Sequence, residues 1–200
     1  MNALWYTDEK YPFSAQEVFA LKLVPGTKIE NIVYNTPFRS GQSLADKVAG
    51  HKTLLLFLRY YGCTLCQYDM LLLKEQYAKI HAVNGQVKVV LQSDPKLLAE
   101  ELGSADDYPF EIICDPDGAL YRLFEVNPAA SMAELGGDGV MEKIKAAKER
   151  GLSHGRYEGV EEQLPAAFVI DENMSVTYAH YGTNGADIPD VDEMAELLKM

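Results

Sequence analysis

The chain has 200 residues, is 48% hydrophobic and carries a formal net charge of −12. That charge argues against nucleic acid and anionic membrane surfaces as partners. Three cysteines in a chain this long are too few for a disulfide framework, no apolar run reaches the length of a membrane span, and the length suits one domain with a sizeable core.

In chain order, residues 1–13 are aromatic and irregular, suited either to wrapping the surface or to a homodimer contact. Met1 to Glu9 lack the basic start and apolar centre of a secretory signal, so the cytoplasm is the expected compartment. Ser14-Ala15-Gln16-Glu17 is a capping-box pattern and predicts a short helix through Leu21. Pro25-Gly26 is a turn, Lys28 to Tyr34 alternates as a strand does, and Ser43 to Val48 suits a helical turn or two. Residues 1–27 read as an extension, and 28–200 as a single core domain with a helical insertion at about 127–163.

The core begins with the apolar run Thr53 to Arg59, which predicts a strand buried on both faces. Gly62 breaks it. From Thr64 to about His81 apolar residues recur at helical spacing, at Leu65, Met70, Leu73, Tyr77 and Ile80. Val87 to Leu91 is a second strand, Asp94-Pro95 opens a helix through Leu102, and Phe110 to Cys114 is a third strand. A turn at Asp115 to Gly118 leads into a helix from Ala119 to Phe124. Within the insertion, Asn127 to Gly137 is a loop with room for a helical turn, Val140 to Arg150 is helical, and Gly151 to Gln163 polar and irregular. Strands at Ala166 to Ile170 and Ser175 to Tyr181 and a helix at Val191 to Leu198 close the chain. This alternation gives an α/β sandwich with a mixed sheet.

Cys63 and Cys66 fall where a central strand hands over to a helix. The first turn of a helix offers free N–H groups and the positive end of the dipole, and both favour the nucleophilic thiolate. Cys63, at the mouth of the turn, is expected to be the more exposed sulfur, with a depressed pKa. Cys66, one turn in, is placed to close a disulfide onto it. Arg59 adds a cation at the strand end, and Thr64 opens the helix. Half of a zinc site is the alternative; it needs two further ligands, and only Cys114, the four histidines or carboxylates are left, without a partner spacing. Cys114 ends a buried strand and reads as a packed thiol. His154, His180 and Arg156 read as structural or solvated, and none is given a catalytic role.

The element order around Cys-x-x-Cys resembles the thioredoxin fold. Pro165-Ala166-Ala167-Phe168-Val169-Ile170-Asp171 resembles the strand and hairpin of thioredoxin-like reductases. Phe110 to Tyr121, with its Asp115-Pro116-Asp117-Gly118 turn, resembles a peroxiredoxin stretch. Arg59 to Cys66 and Gln163 to His180 are similar to the peroxiredoxin-like branch of the alkyl hydroperoxide reductase/thiol-specific antioxidant (AhpC/TSA) family, and the resemblance covers roughly residues 28–199. The resemblance implies a thioredoxin-like, peroxiredoxin-like three-layer α/β sandwich with a central mixed sheet. It also implies a thiol-dependent oxidoreductase in which Cys63 and Cys66 cycle; a non-catalytic thioredoxin-fold binding protein with a vestigial pair is a further alternative, and a pair that does not cycle under oxidant would mark it. An oxidised substrate (a protein disulfide or a peroxide) and a separate thiol reductant are the expected partners, with no cofactor and no metal. Pro165 is expected to be cis and to face the cysteine pair. The Thr position of the family's peroxide pocket holds Cys63 or Tyr60, depending on which cysteine is aligned, and Pro165 stands where a later Arg is usual. These departures favour disulfide exchange over peroxide reduction.

Overall fold

The computed structural model describes residues 23–200; the helix expected at Ser14 to Leu21 lies outside them. Five strands form the central sheet: β3 (Lys52–Phe57), β4 (Gly85–Leu91), β5 (Glu111–Cys114), β6 (Ala166–Ile170) and β7 (Val176–Tyr181), in the order β5-β4-β3-β6-β7. β3, β4 and β5 are parallel, and β6 and β7 run antiparallel to their neighbours. A small hairpin, β1 (Val33–Tyr34) with β2 (Gln42–Ser43), precedes the sheet.

Register sorts the apolar residues into two cores. Leu54 lies between Val87 and Val169, and Leu56 between Val89 and Ala167. Because strand side chains alternate faces, these residues all point one way. They meet α2 (Thr64–Gln76), α3 (Ala78–Ala82) and α8 (Val191–Lys199) through Met70, Leu73, Ile80, Met194 and Leu198. Leu55, Phe57, Val90, Phe168 and Ile170 face the other way, onto α1 (Leu44–Val48) and α5 (Ala119–Leu123). Phe57 centres this second core, with the rings of Phe124 at 5.0 Å, Tyr121 at 5.2 Å and Phe168 at 5.6 Å. The result is the expected three-layer α/β sandwich.

Two expectations change. The strand from Lys28 to Tyr34 reduces to the two residues of β1 and an isolated bridge from Lys28 to Ser175. The helix expected to run to His81 breaks at Tyr77. There the buried Tyr77 hydroxyl accepts a hydrogen bond from the Val87 N–H at the start of β4 (3.2 Å), so the chain turns to follow the sheet. The helices α4 (Pro95–Leu102), α6 (Met132–Leu135) and α7 (Val140–Glu149) complete the described fold. α7 is tied to α2 by a buried ion pair, Lys143 Nζ to Asp69 at 2.6 Å. No helix among the described residues is long and apolar enough to cross a membrane.

Candidate active site

The site is built where β3 leaves the sheet. The Leu58 N–H donates to the Val90 carbonyl (3.0 Å) and the Gln92 N–H to the Arg59 carbonyl (2.8 Å), so the chain stays beside β4 past the last strand residue. On the opposite face Tyr121 donates its buried hydroxyl to the Leu58 and Val90 carbonyls, pinning both strand ends. The Tyr61 N–H reaches Ser93 Oγ at 2.9 Å, and the Cys63 N–H turns back onto the Tyr60 carbonyl at 3.2 Å. Cys63 then caps α2: its backbone is extended (φ −70°, ψ 124°) and its sulfur accepts the Cys66 N–H at 3.3 Å.

Arg59 serves both sulfurs. Its Nη2 donates to Cys63 Sγ at 3.1 Å, and its backbone N–H donates to Cys66 Sγ at 3.3 Å. The guanidinium lies 5.4 Å from the centre of the Tyr60 ring. The Cys66 thiol hydrogen bond holds the Cys63 pKa well below that of an ordinary thiol; the Arg59 charge and the Cys66 N–H add to it, while burial opposes it. Burial pushes Cys66 well above the ordinary value, and its bond to Cys63 adds to the rise. The pair therefore rests as a Cys63 thiolate beside a Cys66 thiol. Thr64, half-buried, is the first residue of α2.

Cys63 is not the exposed sulfur that was expected: it is 0% exposed and Cys66 3%. The cause is the polar segment 151–163, which crosses the cysteine turn. The Gly155 N–H donates to the Gly62 carbonyl (2.7 Å), and the Gln67 side-chain amide donates to the Gly62 and Ser153 carbonyls (3.1 and 3.0 Å). A Cβ on Gly62 would overlap the Arg156 carbonyl, so only glycine allows so close a crossing. Arg59 Nη1 donates to the Glu161 carbonyl and lies 3.8 Å from its carboxylate. Tyr60, fully buried, shares a hydrogen bond with His154 Nε2 (3.1 Å), whose ring stacks on Tyr157 at 4.1 Å. Glu161, the role of Tyr60 and the Gly62–Gly155 crossing were missed: the stretch 151–163 reads as solvated loop, and nothing local marks Tyr60 or Gly62 as the place where it docks. The one available signal was Gly155, in the same segment as several side chains able to pair.

Pro165 also needs correction. The Leu164–Pro165 bond is trans. Ala166 pairs with Phe57, which places the buried Pro165 at the level where β3 ends. Its carbonyl accepts the Gly182 N–H at 2.9 Å, extending the β6–β7 pairing, and the extended trans chain suits that pairing. Cys114 is buried at the end of β5; burial, then the charges of Asp94, Glu158 and Asp115, push its thiol up to about 12. Arg156 pairs with Glu101 (3.0 Å) and His180 with Asp187 (2.8 Å), so neither joins the cysteines. Among the described residues no three His, Cys, Asp or Glu side chains gather as a metal site would require.

No curated protein matches the chain. The fold is similar to that of a reduced 2-Cys peroxiredoxin from Plasmodium vivax, with a TM-score of 0.60, 12% identity, and cover of 87% of this chain and 79% of that one. It is similar to AhpC from Enterococcus faecalis, with a TM-score of 0.60, 14% identity, and cover of 88% and 90%. It is also similar to a protein from Chlorobium tepidum described as a thiol:disulfide interchange protein DsbE, with a TM-score of 0.53, 21% identity, and cover of 88% and 99%. Identities this low speak for the fold. Residues 28–179 match the model of the AhpC/TSA family, and the chain belongs to that family.

Proposed function

We propose that the protein is a thiol-dependent oxidoreductase in which Cys63 attacks and Cys66 resolves. The observation that carries this reading is the asymmetry of the pair around Arg59: its guanidinium and the Cys66 thiol both favour a thiolate at Cys63, while burial keeps Cys66 a thiol. With a peroxide, the Cys63 thiolate takes the terminal oxygen, the O–O bond breaks, and the departing alkoxide or hydroxide gains a proton. Cys63 becomes a sulfenic acid. The Cys66 thiol then attacks the Cys63 sulfur, water leaves, and a Cys63–Cys66 disulfide remains. A separate dithiol returns two electrons and two protons.

A peroxide is the first reading for the oxidant. Arg59 holds its guanidinium at the attacking sulfur, so a peroxide bound there would meet a preorganised donor for the charge that grows on its far, leaving oxygen. It offers in part what the missing Thr and later Arg would supply. Disulfide exchange is the second reading, favoured by the closeness of the two sulfurs around one helical turn; there a mixed disulfide on Cys63 replaces the sulfenic acid. Turnover of hydrogen peroxide, an organic hydroperoxide and a protein disulfide, measured side by side, separates them. Activity toward any of these that survives Cys63→Ser would remove the reading.

A further inference from the structure

We propose that residues 153–161 form a strap that opens to admit substrate, so that the reactivity of Cys63 is set by the opening equilibrium as well as by its ionisation. The proposal rests on the reading of Cys63 as nucleophile. As folded, Cys63 has no exposed surface, so no oxidant or reductant reaches its sulfur until something moves. The wall on the sheet side is rigid: β3 and β4 are central strands, and Tyr121 pins their ends. The strap is the weak wall.

Its anchors are polar. Glu158 accepts from Ser93 Oγ (2.8 Å) and the Asp94 N–H (3.1 Å), and the Val160 N–H donates to Gln92 Oε1 (2.9 Å). Gly155 and Ser153 are held at Gly62 and Gln67, and Glu161 at Arg59. The strap's large apolar side chains point outward, with Tyr157 67% and Val160 44% exposed. Apolar burial therefore does little to hold it down, and segments with few buried apolar contacts open most readily.

A second observation points the same way. Among the described residues, the buried side-chain polar atoms without a hydrogen-bond partner are Gln92 Nε2 and Glu161 Oε1. Gln92 lies under Gly159 and Val160, and Glu161 belongs to the strap itself. Burying a polar atom unpaired is costly, and lifting the strap returns both to solvent. The closed state thus carries its unmet polar groups at the seam that has to part.

The test is alkylation of Cys63 by iodoacetamide across pH, with the modified sulfur identified by fragmentation mass spectrometry. Gly62→Ala puts a methyl where the Arg156 carbonyl lies. Glu158→Ala removes two anchors and touches neither cysteine. Circular dichroism and thermal melting verify that both variants fold. Each is expected to label Cys63 about tenfold faster or more, as the loss of one or two hydrogen bonds implies, with the pH midpoint of Glu158→Ala unmoved. The proposal is overturned if folded variants label no faster than wild type, if the faster rate comes only with a shifted midpoint, or if wild-type Cys63 already labels as fast as the denatured chain at equal thiolate fraction. Faster labelling in variants whose cysteines never form a disulfide with any oxidant would support the strap while removing the proposed function. A cycling disulfide without faster labelling would remove the strap alone.

Discussion

Arg59→Met should raise the pKa of Cys63 by about one to two units. The guanidinium Nη2 stands 3.1 Å from the sulfur, and its side chain is 11% exposed, so screening by water is weak. At an effective dielectric of ~20 the bare attraction at this distance is about 5 kcal/mol. Much of that is offset by the desolvation of both groups, and the cation is shared with Glu161. A charge-assisted hydrogen bond retains about 1.5–3 kcal/mol net, which at 1.36 kcal/mol per unit gives roughly one to two units. Titrating the ultraviolet absorbance of the thiolate in a Cys66→Ser background isolates the effect. Serine keeps the N–H that Cys63 accepts, and Cys114 stays protonated through neutral pH because its thiol is pushed up to about 12. Arg59→Lys should fall between the two, since a cation returns without the planar fork. An unmoved or lowered midpoint in Arg59→Met would show that the helix turn alone holds the thiolate, and the role given to Arg59 would be wrong.

Cys66→Ser should allow a single oxidation of Cys63 and then stall, with a sulfenic acid that a dimedone probe traps; a protein that keeps cycling would contradict the resolving role. Lys143→Met should cost about 2–3 kcal/mol near pH 8, because the buried Asp69 must then stay charged without its partner or take up a proton. Burial raises the pKa of Asp69 to about 6 even with its partner, so denaturant melts should show the loss shrinking toward pH 5 as Asp69 takes up a proton. Cys63 itself has a folded pKa below its unfolded value. The stability it adds should be full above about pH 8.5, the usual thiol value, and lost as pH falls through the lowered one. Comparison with Cys63→Ser at several pH values reads this directly. Tyr121→Phe should destabilise by about 1–2 kcal/mol in equilibrium melts, since its buried hydroxyl serves two carbonyls.

Much of the fold was legible because its signals are local. The apolar run of β3, the Asp94-Pro95 start of α4 and the alternation of strands and helices each lie within a short stretch. The direction of the Cys63 pKa was legible for the same reason: Arg59, Cys63 and Cys66 lie within one short stretch of sequence. What covers Cys63 was not. Gly62 meets Gly155, and Arg59 meets Glu161, across very large separations in sequence; the Arg59–Glu161 contact spans 102 residues. Hydrophobic periodicity carries nothing about such polar contacts. Pro165 failed differently, because family likeness suggested a local geometry that the chain at this position does not adopt.

The distance in sequence between the strap and the cysteines bears on how the protein matures. Tyr60 to His154 spans 94 residues, whereas Cys63 to Cys66 spans three. Contacts that close long loops form late, because the entropy of closure must be met before they are rewarded. The turn that brings Cys66 and Arg59 to Cys63 can form as soon as α2 meets β3 and β4, while its cover waits for α7 and the chain beyond. On the function proposed above, a newly made chain would display a reactive thiolate before it could shelter it. Refolding under oxidant should capture that interval as disulfides between chains, and refolding under a thiol reductant should pass through it unmarked.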